Sequence, residues 1–177
     1  IDHDVKTVMN SFNVLNGIPA TANKFLQRDI LKDKWQFKGF VISDWGSGIE
    51  MIDHGYAKDI KQVAELSANA GSDMDMESYA YVTYLKQLVE EGKVDINVID
   101  DAVKRILIVK YELGLFDDPY RYCDPKREKE LIYNPDHLAA ALDMAKKSIV
   151  LLKNDILKGK NKPLLPLNKN QKRIAVI

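Results

Sequence analysis

The sequence predicts an α/β fold built from repeated strand–helix units. Three short apolar strands are centred near Met9, Val41 and Asp73, about 32 residues apart, and amphipathic helical segments separate them. A (β/α)8 barrel uses roughly 31 residues per unit and about 250 in all, so a chain of 177 residues supplies three units and is too short for the complete barrel. A doubly wound sheet produces a similar alternation, and the spacing favours the barrel over that alternative.

The first unit begins with a predicted strand at residues 6–12, followed by a loop at 13–22 that is rich in Asn, Gly and Pro. Asn23 is the expected N-cap of the next helix, because its side chain can accept from free amides of the first turn. The helix has apolar residues at helical spacing, which predicts one buried stripe: Phe25, Leu26, Ile30, Leu31 and Trp35.

The second and third units follow the same order. Residues 39–43 form a short apolar strand rich in β-branched residues, typical of a parallel sheet buried on both faces, and residues 44–59 are predicted to be a polar loop. A third strand is expected at 71–76 and a third helix at 79–91, ending at Gly92. Between them the second helix has an apolar face: Ile60, Val63, Ala64, Leu66 and Ala68.

Two further helices are predicted downstream. One begins at Asp95, keeps one apolar face and ends at Gly114. Residues 115–135 are rich in Asp, Pro, Tyr and Arg, so we predict an extended crossing segment with little regular structure. A helix is predicted to follow at 135–149.

The domain organisation is predicted from changes in composition. Residues 1–114 form the barrel part, and residues 115–172 form an extended segment, a helix and a linker. The linker is the lysine-rich stretch 154–172, which contains two prolines. Residues 173–177 read as the first strand of a second domain.

Charge and composition narrow the classes of partner. Twenty-six basic residues balance twenty-six acidic ones, so no overall field favours nucleic acid or an anionic membrane, and a neutral ligand fits better. No run of about eighteen apolar residues predicts a membrane span. The single cysteine, Cys123, cannot form a disulfide within the chain and leaves the redox compartment open.

Asp44 is the strongest candidate for chemistry. It directly follows the apolar strand at 39–43, and catalytic groups of barrel enzymes lie at the carboxyl ends of the strands. A carboxylate that attacks an anomeric carbon must be ionised, rigidly oriented and free of a competing ion pair. The structural alternative is an N-cap or an Asx-turn acceptor in the loop.

Three other residues could line the same site. The indole of Trp45 could stack on the apolar face of a sugar ring, and Met9 and Phe12, at the end of the preceding strand, could form an apolar wall. By default all three are core residues. We predict no metal and no cofactor, because the acidic residues at 73–77 lack the glycine and distal glutamate of a calcium loop and the three histidines lack metal-ligand spacing.

Five groups of motifs resemble glycoside hydrolase family 3, and in particular the β-glucosidases of the bacterial periplasmic type. They occur in the order found in that family and cover nearly the whole chain: VMNSFN at 8–13 with NGIP at 16–19, GFVISDW at 39–45, NAGSDM at 69–74, GLFDDPY at 114–120 and SIVLLKN at 148–154.

The resemblance implies a more detailed assignment. The three strands would be the last three of an N-terminal (β/α)8 domain, and Arg173 would begin an α/β sandwich domain. Asp44 would be the catalytic nucleophile and Trp45 a substrate-binding residue, with Met9 and Phe12 as weaker pocket positions. Phe12 stands where the family usually has Tyr, so the pocket lacks one hydroxyl donor.

The activity implied is retaining hydrolysis of a glycosidic bond, releasing β-linked glucose or a related sugar from the non-reducing end through a covalent glycosyl-Asp44 intermediate. The substrate would be an oligosaccharide or an aryl or alkyl β-glycoside. In the family the sugar-clamping residues lie upstream of residue 1 and the acid/base glutamate lies beyond residue 177. The chain therefore requires the rest of the same polypeptide as its partner and is expected to be inactive alone.

Alternatives remain open from the sequence. Sister enzymes cleave β-xylosides or arabinofuranosides, and the chain does not select the sugar. A non-catalytic carbohydrate-binding or assembly fragment and a phosphate-binding barrel are the other classes considered. A periplasmic or secreted location is implied by the resemblance only.

Overall fold

A computed structural model describes residues 3–170, 172–173 and 175, and it divides the chain into two units, Ile1–Tyr122 and Cys123–Ile177. The first unit contains every strand of the described residues, together with four α-helices. The second contains two α-helices. The domain boundaries at 114 and 172 stay predictions.

A short parallel sheet lies in the first unit. Strand β1, Thr7–Met9, pairs in parallel with strand β4, Phe40–Ile42, and Val8 lies opposite Val41. Two short strands, β2 and β3, lie between them in the sequence and are described below. On the other side of β4, Met74 forms a parallel bridge with Ile42. The mixed α/β class and the parallel relation of β1 and β4 agree with the predicted fold.

The third strand, predicted at 71–76, is reduced to that single bridge. The carboxylate of Asp73 explains the difference, because its Oδ2 accepts the Val41 amide at 2.8 Å, where a continuing strand would offer a backbone carbonyl. In return, the Asp73 amide donates to the Val41 carbonyl at 2.8 Å. A side chain thus takes one position in the ladder of hydrogen bonds.

Between β1 and the first helix, the predicted loop contains a small antiparallel hairpin of β2, Val14–Leu15, and β3, Ile18–Pro19. The Asn16-Gly17 turn joins them, with positive φ at both residues (53° and 77°). This is the dipeptide that two-residue hairpins favour. A 3₁₀ turn follows at Ala20–Ala22.

The first helix, Phe25–Lys34, is a π-helix in which Trp35 N–H donates to Ile30 O at 2.9 Å. The N-cap of this helix is Lys24, one residue after the predicted Asn23, whose side chain accepts the Leu26 amide at 3.1 Å. The predicted apolar stripe is wrong at its two ends, where Phe25 and Trp35 are exposed, while Leu26, Ile30 and Leu31 are partly buried. Gln27 and Lys32, which are not part of that stripe, are buried. The wider i→i−5 spacing moves residues off the face that a 3.6-residue period would give them.

Four α-helices complete the first unit. Helix α1, Ser47–Asp53, lies within the predicted polar loop and corrects it. Helices α2, Ile60–Ala70, and α3, Ala80–Glu90, occur close to the predicted positions, as does α4, Ile96–Glu112, whose N-cap Asp95 accepts from the Asn97 amide. Helix α1 was missed because its seven residues are too few to establish a helical period, although it buries Met51 completely.

The apolar core of this unit lies among α1, α2 and α3 and contains Met51, Val63, Ala64 and Leu88. Helix α4 buries Val109 and leaves Val103 and Leu107 of its predicted apolar face exposed. Arg105 connects α4 to the chain before β4, donating from Nη1 to the carbonyls of Phe37 at 2.8 Å and Gly39 at 3.0 Å.

The second unit contains α5, Pro125–Leu131, and α6, Pro135–Ser148. Helix α5 corrects the predicted extended segment, because Asp124 accepts two first-turn amides and Pro125 occupies the first helical position, a strong helix start. The predicted strand at 173–177 lies outside the described residues at positions 174, 176 and 177. None of the described helices has the length and apolar character needed to cross a membrane.

Candidate active site

Asp44 lies at the carboxyl end of β4, the central strand of the sheet. The strand ends at Ile42, Ser43 is buried, and Asp44 is half-buried at the rim. On one side Met9, the last residue of β1, is paired with Ile42, and on the other Met74 forms the bridge. The Asp44 side chain therefore follows a backbone that is hydrogen-bonded on both sides.

The Asp44 carboxylate has one hydrogen bond within the described residues. Its Oδ1 accepts from the Trp45 amide at 2.7 Å, and the described residues offer no donor to Oδ2. The ion pairs of these residues all join other groups. Helix α1 has Gly46 as N-cap and no side-chain cap, so Asp44 does not cap it. One carboxylate oxygen is thus left for a ligand.

The segment after the third strand holds the backbone on both sides of Asp44. Ser43 N–H donates to Met74 O at 2.9 Å, and the Met76 amide donates to Ser43 Oγ at 2.8 Å. Beyond Asp44, Gly46 N–H donates to Met76 O at 2.9 Å. These three bonds connect two loops at the same edge of the sheet.

A buried ion pair lies below this edge. Lys32 Nζ is 2.6 Å from Asp73 Oδ1, and each side chain is only 3% exposed. Burial lowers the pKa of the Lys32 ammonium from its ordinary value, and the nearby Asp73 carboxylate opposes that change. The apolar pattern of the helix hid Lys32, although an aspartate in a predicted buried strand required a cationic or hydrogen-bonding partner.

The other acidic residues of this region serve separate purposes. Asp75 Oδ2 accepts the amides of Ala80 at 2.9 Å and Tyr81 at 3.3 Å at the start of α3. Tyr81 donates its hydroxyl to Ser72 O at 2.8 Å, and burial raises its pKa well above the usual value, which keeps it a donor. In the described part of the chain, no cluster of three His, Cys, Asp or Glu side chains could hold a metal ion.

The three predicted substrate-binding residues are all exposed in the described structure. Trp45 is 64% exposed beside Asp44, Met9 is 56% exposed at the end of β1, and Phe12 is 39% exposed beyond it. Met9 reaches the same sheet edge as Asp44 through its pairing with Ile42. The default assignment of these side chains to the core is therefore wrong for this structure, and their roles toward a ligand stay predictions.

Barrel enzymes carry their catalytic groups at the carboxyl ends of parallel strands, where Asp44 lies, and comparison with known proteins assigns the class. Residues 1–109 match the glycosyl hydrolase family 3 N-terminal domain, so the chain belongs to this family. The resemblance found in the sequence motifs is confirmed.

Individual relatives make the comparison more specific. The chain is 39% identical to a periplasmic β-glucosidase of Salmonella typhimurium over 100% of its own length and 23% of the relative, and 34% identical to a β-xylosidase of Formosa agariphila over 98% and 24%. A crystal structure of a β-glucosidase from Listeria innocua in complex with isofagomine has a TM-score of 0.70 and 44% identity, covering 85% of this chain and 21% of that one.

The chain thus spans about a quarter of the curated relatives it matches. These relatives are named as hydrolases of β-glycosides, and none of the names favours the non-catalytic alternative.

Proposed function

We propose that the protein containing this chain is a retaining glycoside hydrolase that releases β-linked glucose or a related sugar from the non-reducing end of an oligosaccharide or an aryl or alkyl β-glycoside. The observation that carries the proposal is the position of Asp44, at the end of the central parallel strand with one carboxylate oxygen unbonded among the described residues. Membership of the family and the names of the relatives support it. The two parallel strands and the bridge would be the last three units of a (β/α)8 barrel.

In the first chemical step, Asp44 Oδ2 attacks the anomeric carbon while the bond from that carbon to the leaving-group oxygen breaks. A general acid protonates the departing oxygen. Water then attacks the glycosyl-Asp44 ester, returning its proton to the same acid/base group, and the sugar leaves with retained configuration. The family resemblance assigns the acid/base glutamate to a part of the protein beyond residue 177.

Trp45 would stack against the sugar, since an exposed indole next to the nucleophile offers a flat apolar surface to the axial hydrogens of a pyranose ring. Met9 and Phe12 would form an apolar wall at the neighbouring strand end. The equal numbers of acidic and basic residues suit a neutral substrate. Because the Salmonella relative is named periplasmic, we propose a periplasmic or secreted location.

Labelling of the full-length protein with a 2-fluoro glucoside that carries a dinitrophenyl leaving group tests the proposal. The fluorine slows hydrolysis of the glycosyl-enzyme, so mass spectrometry of a digest should find one sugar on the peptide that contains Asp44. Asp44→Asn should lose the label and lower kcat by roughly 10³-fold or more. Asp53→Asn, an exposed aspartate on α1, is the matched control and should behave as wild type.

A label on a different residue would reject Asp44 as the nucleophile. Retained sugar binding with no label in any peptide would instead favour the non-catalytic carbohydrate-binding alternative.

A further inference from the structure

The Lys32–Asp73 pair differs from the other ion pairs of the described residues in its burial. Both of its side chains are 3% exposed, whereas each of the other pairs has at least one partner more than a quarter exposed. Burying two charges costs several kcal/mol per ion before their attraction is counted, so such a pair is weak evidence of added stability. The geometry of the pair offers another explanation for the burial of these two charges.

Asp73 uses both carboxylate oxygens. Oδ1 contacts Lys32 Nζ at 2.6 Å, and Oδ2 accepts the Val41 amide at 2.8 Å. Val41 is fully buried in the middle of β4, three residues before Asp44. Elsewhere in a parallel sheet a backbone carbonyl would accept this amide. Here one of the hydrogen bonds that link the 73–76 segment to β4 is made by a carboxylate that Lys32 contacts, beside the backbone bonds from the Asp73 and Met74 amides to the Val41 carbonyl.

Asp73 also begins the segment that flanks Asp44. Three residues further on, Met76 donates its amide to Ser43 Oγ at 2.8 Å and accepts the Gly46 amide at 2.9 Å. Ser43 and Gly46 stand on either side of the Asp44-Trp45 dipeptide. The direction of the Asp44 carboxylate is therefore set by backbone that is bonded to the 73–76 segment.

We propose that Lys32 and Asp73 are a positioning pair for the Asp44 carboxylate. The pair connects the π-helix to β4 and aligns the 73–76 segment against the turn that carries Asp44. This inference rests on the proposed nucleophilic role of Asp44. Reacting groups must be held within about 0.5 Å of their productive positions, and a displacement of about 1 Å can lower a rate by about 10²-fold.

A purely structural role makes a different prediction from a positioning role. Loss of stability reduces the number of folded molecules but leaves the rate of each folded active site unchanged. Loss of positioning lowers the rate per site and leaves ground-state sugar binding nearly intact, because the pair does not contact the sugar. Titration of active sites with the dinitrophenyl 2-fluoro glucoside counts the competent molecules and so separates the two.

The experiment uses the full-length protein with Lys32→Met and Lys32→Arg. We expect Lys32→Met to lower the rate constant of Asp44 labelling per active site by about 10- to 100-fold, with the Kd for glucose changed less than about threefold. Arginine restores the cation and should recover most of the rate. The control is Lys61→Met, which removes an ion pair of the same 2.6 Å length that joins α2 to the end of α3; its rate per site should equal wild type.

Ser43→Ala provides a second variant that keeps the buried charges and removes the Ser43 hydroxyl, which accepts the Met76 amide at 2.8 Å and donates to the Asp44 carbonyl at 3.1 Å. Loss of these two hydrogen bonds should lower the labelling rate per site by about threefold to tenfold. Wild-type labelling rates in both Lys32→Met and Ser43→Ala would overturn the positioning role alone. If Lys32→Met does not fold, a wild-type labelling rate per site in Ser43→Ala is by itself enough to overturn the positioning role. Absence of a label on Asp44 in the wild type would overturn the proposed function and the positioning role with it.

Discussion

At Gly39 the backbones of two neighbouring strands approach closely enough to exclude any side chain. A Cβ on Gly39 would overlap the carbonyl of Lys6, and it would also lie 2.7 Å from the Phe37 ring. The next residue, Phe40, donates its amide to that same Lys6 carbonyl at 3.1 Å. The start of β4 therefore requires glycine for space, not for an unusual φ.

Gly39→Ala should lower the free energy of unfolding by about 3 kcal/mol, the upper end of the usual cost of overpacking, because the backbone carbonyl of Lys6 cannot move aside without breaking its bond to Phe40. Urea denaturation of the full-length protein measures the change. Gly55→Ala is the control: a Cβ there meets nothing within 4 Å, and only the left-handed φ of 70° opposes it, a cost of about 1 kcal/mol. Equal losses in the two variants would contradict the steric explanation.

At the residue scale the sequence located Asp44 at a strand end from the apolar run before it, and the structure agrees on that position. It did not reveal Lys32, because a lysine at a helical position is normally solvated, and its burial depends on Asp73 forty-one residues later. Nor did it reveal that Ser43 accepts the Met76 amide. Contacts between residues so far apart in sequence leave no local pattern.

At the element scale α2 and α3 are joined by a charged cluster where α3 ends. Glu91, the C-cap residue of α3, lies 2.6 Å from Lys61 of α2 and 3.1 Å from Lys93. The hydrogen bond from Lys61, followed by that from Lys93, lowers the pKa of Glu91 from 4.5 to about 2. The ionised carboxylate is thus favoured in the folded state.

The pH dependence follows from that lowered pKa. The stabilisation is complete above the unfolded pKa near 4.5 and is lost as the pH falls toward about 2, where folded Glu91 also takes up a proton. Glu91→Gln should therefore melt at a lower temperature than wild type at pH 7, with the difference shrinking steadily below pH 4.5. Melting curves at several pH values measure this difference.

Glu90→Gln is the matched control, because Glu90 is exposed and its ion pair with Lys86 is long, at 4.0 Å. Its melting temperature should follow wild type across the same pH range. A Glu91→Gln deficit that stays constant down to pH 2 would show that packing, not charge, causes it.

Elements with strong end signals were predicted well. Helices α2, α3 and α4 combine periodic apolar residues with glycine or aspartate at their ends, and the structure places them close to the expected residues. Helices α1 and α5 have seven residues each, too few to establish a period. No feature of the composition of Phe25–Lys34 predicts its π-helical hydrogen bonding. Contacts with other segments of the chain bury Gln27 and Lys32 in this helix.

At the scale of the whole molecule, the proposed mechanism assigns to this chain one of the two carboxylates of a retaining glycosidase, Asp44. A retaining pair stands about 5–5.5 Å apart, and two of the acidic neighbours are bonded to other groups: Asp73 to Lys32 and Asp75 to the start of α3. We propose that the acid/base group and the sugar-clamping residues lie in other parts of the polypeptide.

Residues 1–177 expressed alone should therefore hydrolyse an alkyl β-glucoside at least about 10²- to 10⁴-fold more slowly than the full-length protein, the usual contribution of general acid catalysis. The comparison is made as kcat/KM at equal concentrations of protein. An aryl glucoside with a dinitrophenyl leaving group needs less protonation and should show a smaller difference. Equal kcat/KM values for the alkyl substrate would place the acid within this chain.

The sequence by itself determined the family, the order of β1, β4 and helices α2 to α4, and the position of Asp44, because apolar periodicity, end-capping residues and short motifs are local properties of the chain. The tertiary structure decided the shortening of the third strand, the exposure of Trp45, Met9 and Phe12, and the burial of Lys32 against Asp73. Each of these features depends on which distant segment of the chain packs beside the residues concerned. Packing partners and desolvation exist only once the strands have been brought together.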